Sequence, residues 1–268
     1  IRNEFPSEEE QYRIYRKILS KAGNWECVLR TLDIGGDKIP GSSDSTMETN
    51  PFLGFRGIRF SLGNIEIFQE QIRAMLRAGE GYELKLMFPM VSSMDEFNSA
   101  RRIISDTVME LKKEEIPANY EPKIGAMVEL PAAVEIIREL SAAADFLSIG
   151  TNDLIMYTLA VDRTNEKVKH LYRPCHPAVL RSISRIAFQA LKDGTEISVC
   201  GEAASEPGML RFLLGLGIRK ISADPLNIPS VKRMAGSVSI DECRKFSAES
   251  LKAETLEEAE KIFLRFEK

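Results

Sequence analysis

The sequence predicts an α/β fold of the (β/α)8 TIM-type barrel class, with the first βα unit lacking or not shown. Short apolar runs alternate with amphipathic helices, which is the pattern of βα units and a parallel sheet. The length of 268 residues suits a single barrel, which typically has about 250 residues. We count about seven strands where a closed barrel needs eight. Residues 1–5 already resemble the tail of a strand, so we expect the missing unit before Ile1 and interpret 1–268 as one barrel domain of a larger protein.

The predicted strands are short apolar segments that end at glycine, proline or charged residues. In chain order they cover residues 1–5, 26–34, 84–90, 124–130, 146–149, 196–202 and 220–223. Capping boxes, in which Ser or Thr is followed three residues later by Glu, predict four helix starts. These boxes begin at Ser7, Ser93, Ser239 and Thr255. Other helices are predicted to start at Asn64, Pro131, Pro177 and Ser205 with Pro207.

Composition excludes several classes of protein. Hydrophobic residues make up 44% and charged residues 28% of the chain, which is enough apolar material for a full core. The net charge of −4, without a basic block, argues against nucleic-acid binding. No apolar run approaches the roughly 18 residues of a membrane span, and no signal-peptide pattern is present. The four cysteines form no C-x-x-C pair, so we expect a reducing, cytoplasmic location.

The stretch ADFLSIGTNDLIMYTLAVDRTN, residues 144–165, is the centre of the functional prediction. A buried strand over 146–149 is followed by polar residues 150–153, which we interpret as a turn. Ligands of α/β proteins bind beyond the carboxyl ends of such strands. The alternative is structural, since Asn152 and Asp153 could simply cap the next helix.

Charged or reactive residues also follow other predicted strands. Taken together with the central stretch, the candidates are Arg30, Asp33, Arg56, Arg59, Glu129, Asn152, Asp153, Arg163, Cys200 and Glu202. Each alone has a structural explanation: a surface charge, a helix cap or an inert core thiol. If the strands are parallel, however, all these ends lie on one face of the barrel.

The residue types indicate a small phosphorylated acid as the ligand. Two carboxylates in one site need a cation between them, and Mg²⁺ is commonly held by one or two carboxylates plus substrate oxygens. Arginine guanidinium groups bind phosphate and carboxylate through paired hydrogen bonds. A thiol, with an ordinary pKa of about 8.5, is protonated at neutral pH and can donate a proton.

The motifs in their order resemble one family. RNEF, RTLDIGGDK, NPFLGFRGIR, FPMVSSMDE, MVELPAA, SIGTNDL, YTLAVDRTN, HLYRPCHPAVLR and VCGEAA are similar to the C-terminal, phosphoenolpyruvate-binding barrel of Enzyme I of the phosphoenolpyruvate-dependent phosphotransferase system. The resemblance covers the chain from end to end. Pyruvate phosphate dikinase and phosphoenolpyruvate synthase share this barrel, and they are the alternative family members.

The resemblance implies a role for each matching residue. Arg2, Arg30 and Arg56 match arginines that hold the phosphate, and Asn152 and Arg163 match groups that bind phosphate and carboxylate. Glu129 and Asp153 match the Mg²⁺ ligands. Cys200 matches the acid that protonates C3 of the enolate to give pyruvate.

The resemblance also implies partners that lie outside this chain. In the family, the phosphoryl group passes to a histidine of an N-terminal domain and then to HPr or its nitrogen-branch relative, and the barrel forms a homodimer. The chain itself contains His170 and His176, and we interpret His176 as a helix-entry residue. The branch that the parent protein serves, sugar uptake or nitrogen regulation, is left open.

Several positions depart from the family pattern. A family stretch between Phe5 and Pro6, just after Arg2, is absent here, and Ile155-Met156 replaces Thr-Gln. Two further hypotheses remain open on residues alone. One is an Mg²⁺-dependent lyase or aldolase acting on a 2-oxo acid, and the other is a non-catalytic module that binds a metabolite.

Overall fold

A computed structural model describes residues 4–35 and 48–265 of the chain. It divides the chain into two compact units, Ile1–Ala126 and Met127–Lys268. Strand β3 begins in the first unit and ends in the second. Residues 1–3, 36–47 and 266–268, which include Arg2, lie outside the described residues.

The first unit alternates helices and parallel strands. Its described elements are α1 (Glu8–Ala22), β1 (Cys27–Arg30), α2 (Ile58–Gly63), α3 (Ile65–Ala78), β2 (Leu84–Phe88), α4 (Met94–Lys113) and the start of β3 (Lys123–Val128). Strand β1 pairs in parallel with β2, and β2 with β3, so that Leu29, Leu86 and Ile124 stand side by side.

Local capping explains where two of these helices begin and end. Ser7 and Glu10 form the predicted capping box of α1, and Gly23 ends that helix with a positive φ of 61°. Ser93 also caps α4, but the carboxylate of Glu96 accepts from the amide and hydroxyl of Ser92 instead of from Ser93. The box predicted at Ser93 is therefore only half formed.

The core of the first unit is built on aromatic rings. Phe88 of β2 lies between Phe68 of α3 and Phe97 of α4, with ring centroids 6.2 and 5.8 Å apart in edge-to-face geometry. All three side chains are fully buried. Edge-to-face pairs add about 0.5–1.5 kcal/mol beyond the burial of their area.

The second unit continues the alternation. Its described elements are the end of β3, α5 (Pro131–Glu135), α6 (Ile137–Ala143), β4 (Phe146–Gly150), α7 (Thr151–Leu159), α8 (Pro177–Asp193), β5 (Glu196–Cys200), α9 (Pro207–Gly215), β6 (Lys220–Ile221), α10 (Ile228–Gly236), α11 (Ile240–Ser250) and α12 (Leu256–Leu264). Strands β4, β5 and β6 are parallel neighbours in chain order.

The helix signals of this unit are largely confirmed. Complete capping boxes form at Ser239 and Thr255, and Pro177 is the first residue of α8. The nitrogen Nδ1 of His176 accepts a hydrogen bond from the Ala178 amide at 3.1 Å, which confirms His176 as a helix-entry residue. Ser205 does not cap α9, because it ends a 3₁₀ turn and Glu206 occupies the cap position.

The predicted fold class is confirmed in its essentials. Both units consist of βα segments with parallel strands, six of them among the described residues. The predicted strand over 1–5 falls mainly outside the described residues, and Glu4 and Phe5 belong to no strand.

Candidate functional site

In the second unit, the ends of β4 and β5 bring the candidate residues together. Gly150 is in register with Cys200, the last residue of β5. Helix α7 begins directly after β4 at Thr151, so Asn152 and Asp153 lie in its first turn. The turn predicted over 150–153 is therefore wrong. The alternative reading, in which Asn152 or Asp153 caps the helix, is also wrong, because no side chain caps α7.

Two glycines allow these elements to approach closely. A Cβ on Gly150 would lie 2.6 Å from Oε2 of Glu129, the residue that directly follows β3. Gly201 has a φ of +104°, and a Cβ there would lie 2.2 Å from Oγ1 of Thr151. That hydroxyl donates to the carbonyl of Cys200 at 2.9 Å. Side chains at these two positions would push the strand ends apart.

The amide of Asn152 is held in one orientation. Its Oδ1 accepts from the backbone N–H of Glu202 at 3.1 Å. An oxygen must face this N–H, so the bond identifies Nδ2 as the donor end of the amide. Its backbone carbonyl accepts from the hydroxyl of Tyr172 at 3.2 Å. The fixed Nδ2 group can donate to an oxygen of an anionic ligand.

Charged groups surround the Tyr172 hydroxyl. Burial raises the pKa of Tyr172 to about 12; the positive charge of Arg163 works against this rise, and the carboxylates of Glu202 and Asp153 add to it. Arg163 Nη1 lies 3.9 Å from Oε1 of Glu202, and these side chains are 39% and 88% exposed. The arginine is thus accessible, on the loop that follows α7.

The thiol of Cys200 is fixed at the strand end by two polar neighbours. Sγ donates to the carbonyl of Ile149 at 3.5 Å and accepts from the hydroxyl of Ser148 at 3.7 Å. The residue is partly exposed and forms no disulfide. A protonated thiol with fixed geometry is able to deliver a proton to a neighbouring carbon.

The two carboxylates that the family resemblance assigns as Mg²⁺ ligands both belong to this unit. Glu129 is only 2% exposed, and Asp153 lies in the first turn of α7. Among the described residues no cluster of three or more His, Cys, Asp or Glu side chains could hold a metal. A pair of carboxylates fits Mg²⁺, which commonly completes its six oxygen ligands with water and substrate.

In the first unit, two candidate arginines share one carboxylate. Nε and Nη2 of Arg56 donate to Asp33 at 3.0–3.2 Å, and Arg30 Nη1 lies 3.4 Å from Asp33 Oδ2. The Asp33 side chain is 7% exposed and that of Arg56 13%. Asp33 thereby orients the Arg56 guanidinium at the end of β1. Arg2 lies outside the described residues.

The structure adds two residues to which the sequence assigned no role in the site. Thr151 and Tyr172 lie within the motifs SIGTNDL and HLYRPCHPAVLR, but the resemblance gave them no role; in the structure they contact the site through neutral hydrogen bonds. Asp33, a strand-end charge already singled out in the sequence, is the carboxylate that Arg30 and Arg56 share.

No helix in the described part of the chain combines the length and the apolar character that crossing a membrane requires.

Comparison with known proteins points to one family. The family model described as "PEP-utilising enzyme, PEP-binding domain" matches residues 1–240. The chain is 38% identical over 265 residues, 99% of its length, to a phosphoenolpyruvate-protein phosphotransferase of Listeria monocytogenes. Proteins of the same name from Bacillus subtilis and Priestia megaterium are 39% and 42% identical over 96% and 85% of the chain. The chain spans 46%, 45% and 40% of these three relatives.

Among solved structures, a citrate lyase from Burkholderia xenovorans LB400 is similar, with a TM-score of 0.51 and 14% identity. The alignment covers 92% of this chain and 79% of that one. At this identity the likeness concerns the fold alone, and it agrees with the predicted TIM-type class.

Proposed function

Because the chain belongs to the family of PEP-utilising enzymes and matches its PEP-binding domain, we propose that it carries the substrate site of a phosphoenolpyruvate-protein phosphotransferase. The names of the curated relatives agree with this activity and not with a dikinase or a lyase. The observation that carries the proposal is the group of polar residues at the ends of β4 and β5, which we call the rim. There the fixed amide of Asn152 lies beside Asp153, and Cys200 ends the adjoining strand.

The substrate is held by complementary charge in this proposal. Phosphoenolpyruvate carries a phosphate and a carboxylate, and both are bound by arginine and amide donors. Asn152 and Arg163 supply such donors in the second unit. Arg2, Arg30 and Arg56 are assigned the same role from the family motifs, and Asp33 orients the guanidinium of Arg56.

Glu129 and Asp153 are the proposed ligands of a Mg²⁺ ion. When bound, the ion offsets the repulsion between these carboxylates and the substrate oxygens. The protein's part is to keep both carboxylates at the rim, Glu129 against Gly150 and Asp153 in the first turn of α7.

Cys200 is proposed as the acid of the second half of the reaction. The P–O bond of phosphoenolpyruvate breaks as the phosphoryl group passes to a histidine outside this chain, which leaves the enolate of pyruvate. The C3 carbon of the enolate then takes the proton from Sγ, and solvent returns a proton to the thiolate. His176 does not serve as the acceptor in this scheme, because its Nδ1 caps α8.

The remaining properties follow from membership of the phosphotransferase family. We propose that the parent protein is cytoplasmic, passes its phosphoryl group to an HPr-type carrier, and forms a homodimer. The chain spans 46% of the Listeria monocytogenes relative, so these properties are proposed for a protein of the relative's length.

The proposal is tested by calorimetric titration of the chain with phosphoenolpyruvate, with and without MgCl₂. We expect binding that Mg²⁺ strengthens, and loss of this enhancement in Glu129→Gln and Asp153→Asn, with affinity at least about tenfold weaker. Glu139→Gln is the matched control, since Glu139 is exposed and contacts Arg138. Pyruvate that binds as tightly as phosphoenolpyruvate would contradict the proposal and favour a lyase.

A further inference from the structure

The loop after α7 returns to the beginning of the same helix. It leaves α7 at Ala160, which has a left-handed φ of 53°. It ends at Tyr172, whose hydroxyl donates to the carbonyl of Asn152 at 3.2 Å. A helix of nine residues is about 13 Å long, so the loop runs back along this length.

The loop has hydrogen bonds of its own that give it shape. Asp162 Oδ1 accepts from the amide and the hydroxyl of Thr164 at 2.8 and 2.7 Å, and Asn165 Oδ1 accepts from the Lys167 amide. The Tyr172 amide donates to Lys169. Arg163 lies within this ordered segment, between the end of α7 and Tyr172.

The Tyr172 hydroxyl therefore joins two parts of the proposed substrate site. On one side is the first turn of α7, with Asn152 and Asp153. On the other is the loop that carries Arg163. Both sides also contact Glu202, whose amide donates to Asn152 and whose carboxylate faces Arg163.

The chemistry of the hydroxyl suits this connecting role. Burial raises the pKa of Tyr172 to about 12, so the group remains a neutral donor across the physiological range. A neutral donor adds no charge where an anion binds. The carbonyl of Asn152 has two lone pairs and can accept this bond in addition to the bond within the helix.

We propose that Tyr172 is a positioning residue for phosphoenolpyruvate, because its hydroxyl holds the Arg163 loop against the first turn of α7. The bond keeps the loop that carries Arg163 next to the helical turn that carries the Asn152 amide. This role rests on the proposed function, and it adds a residue that does not itself bind the substrate.

The test compares Tyr172→Phe with Tyr120→Phe. Both substitutions remove a hydroxyl that donates to a backbone carbonyl, and Tyr120 donates to Ile116 in the first unit. We expect Tyr172→Phe to weaken phosphoenolpyruvate binding in the presence of MgCl₂ about threefold to tenfold. Tyr120→Phe should leave affinity unchanged, although both variants lose similar thermal stability.

Two further measurements separate positioning from general loosening. Hydrogen exchange of the Glu202 amide, which is bonded to Asn152, should speed up in Tyr172→Phe and not in Tyr120→Phe. In an Asn152→Ala background, Tyr172→Phe should weaken binding by less than twofold, because the two residues act through the same helical turn.

The outcomes distinguish the two levels of inference. Equal affinity of the wild-type chain and Tyr172→Phe, with phosphoenolpyruvate bound by both, overturns the role of Tyr172 and leaves the proposed function intact. Equal loss of affinity in Tyr120→Phe also overturns that role. A wild-type chain that does not bind phosphoenolpyruvate overturns the proposed function, and the role of Tyr172 with it.

Discussion

The two units stabilise their strand-end polar groups by different means. At the end of β1 the contacts are charged, with Asp33 bound by Arg56 and close to Arg30. At the ends of β4 and β5 the contacts are mainly neutral: Thr151 to Cys200, Glu202 to Asn152, and Tyr172 to Asn152. The first arrangement depends on charge, whereas the second depends on backbone groups that approach closely enough to bond. Substitutions that remove charge or space should therefore affect the two regions differently.

The largest effect on stability is expected when a side chain is added at the ends of β4 and β5, where the contacts are neutral and close. Gly201→Ala introduces a Cβ 2.2 Å from Thr151 Oγ1 at a φ of +104°. Strain and overpacking together should lower the free energy of unfolding by about 3 kcal/mol or more. Urea denaturation of the chain measures this loss.

Gly194→Ala is the matched control, because Gly194 also has a positive φ of +74° but nothing within 4 Å of a Cβ. It should cost about 1–2 kcal/mol from backbone strain alone. Equal losses in the two variants would show that close packing against Thr151 is unimportant.

The next effect concerns charge in the first unit. Asp33→Asn keeps the shape of the side chain but removes the negative charge between Arg56 and Arg30. Because Asp33 and Arg56 are both largely buried, we expect a loss of about 1.5–3 kcal/mol in unfolding free energy. Asp241→Asn, whose partner Arg244 is exposed, should change stability little. A loss in Asp33→Asn no larger than in this control would contradict the charged arrangement.

A smaller effect should appear at alkaline pH. The pKa of Tyr172 is raised above its ordinary value by burial, so the folded state retains a proton that the unfolded state loses first. Stability contributed by the neutral hydroxyl is therefore present below about pH 10 and declines as the pH rises toward 12. The free energy of unfolding, measured across this pH range, should decline more steeply for the wild-type chain than for Tyr172→Phe. Parallel curves would mean that the hydroxyl is not buried as described.

The smallest effect is expected for the exposed ion pair. Glu202→Gln removes a charge from a side chain that is 88% exposed and 3.9 Å from Arg163. Exposed pairs contribute little, so unfolding free energy should change by less than about 0.5 kcal/mol. Denaturant midpoints of the two proteins provide the measurement. A loss above about 1 kcal/mol would place Glu202 among the residues that stabilise the rim.

Much of the fold and part of the site could be predicted from local pattern. Capping boxes at Ser7, Ser239 and Thr255 were predicted correctly because each needs only residues three positions apart. The prediction at 150–153 was wrong, since polar residues after a glycine favour a turn locally. In the structure Gly150 leads directly into α7, whose first residue bonds to the neighbouring strand.

By itself, the sequence determined the βα alternation, the parallel strands and the candidates Arg30, Glu129, Asp153 and Cys200, because periodicity and residue chemistry are local properties. Only the tertiary structure decided that Tyr172 bonds to Asn152, and that Gly201 lies against Thr151. These contacts join residues 20 and 50 positions apart along the chain. Neutral groups form hydrogen bonds wherever the fold brings them together, so no spacing in the sequence predicts these contacts.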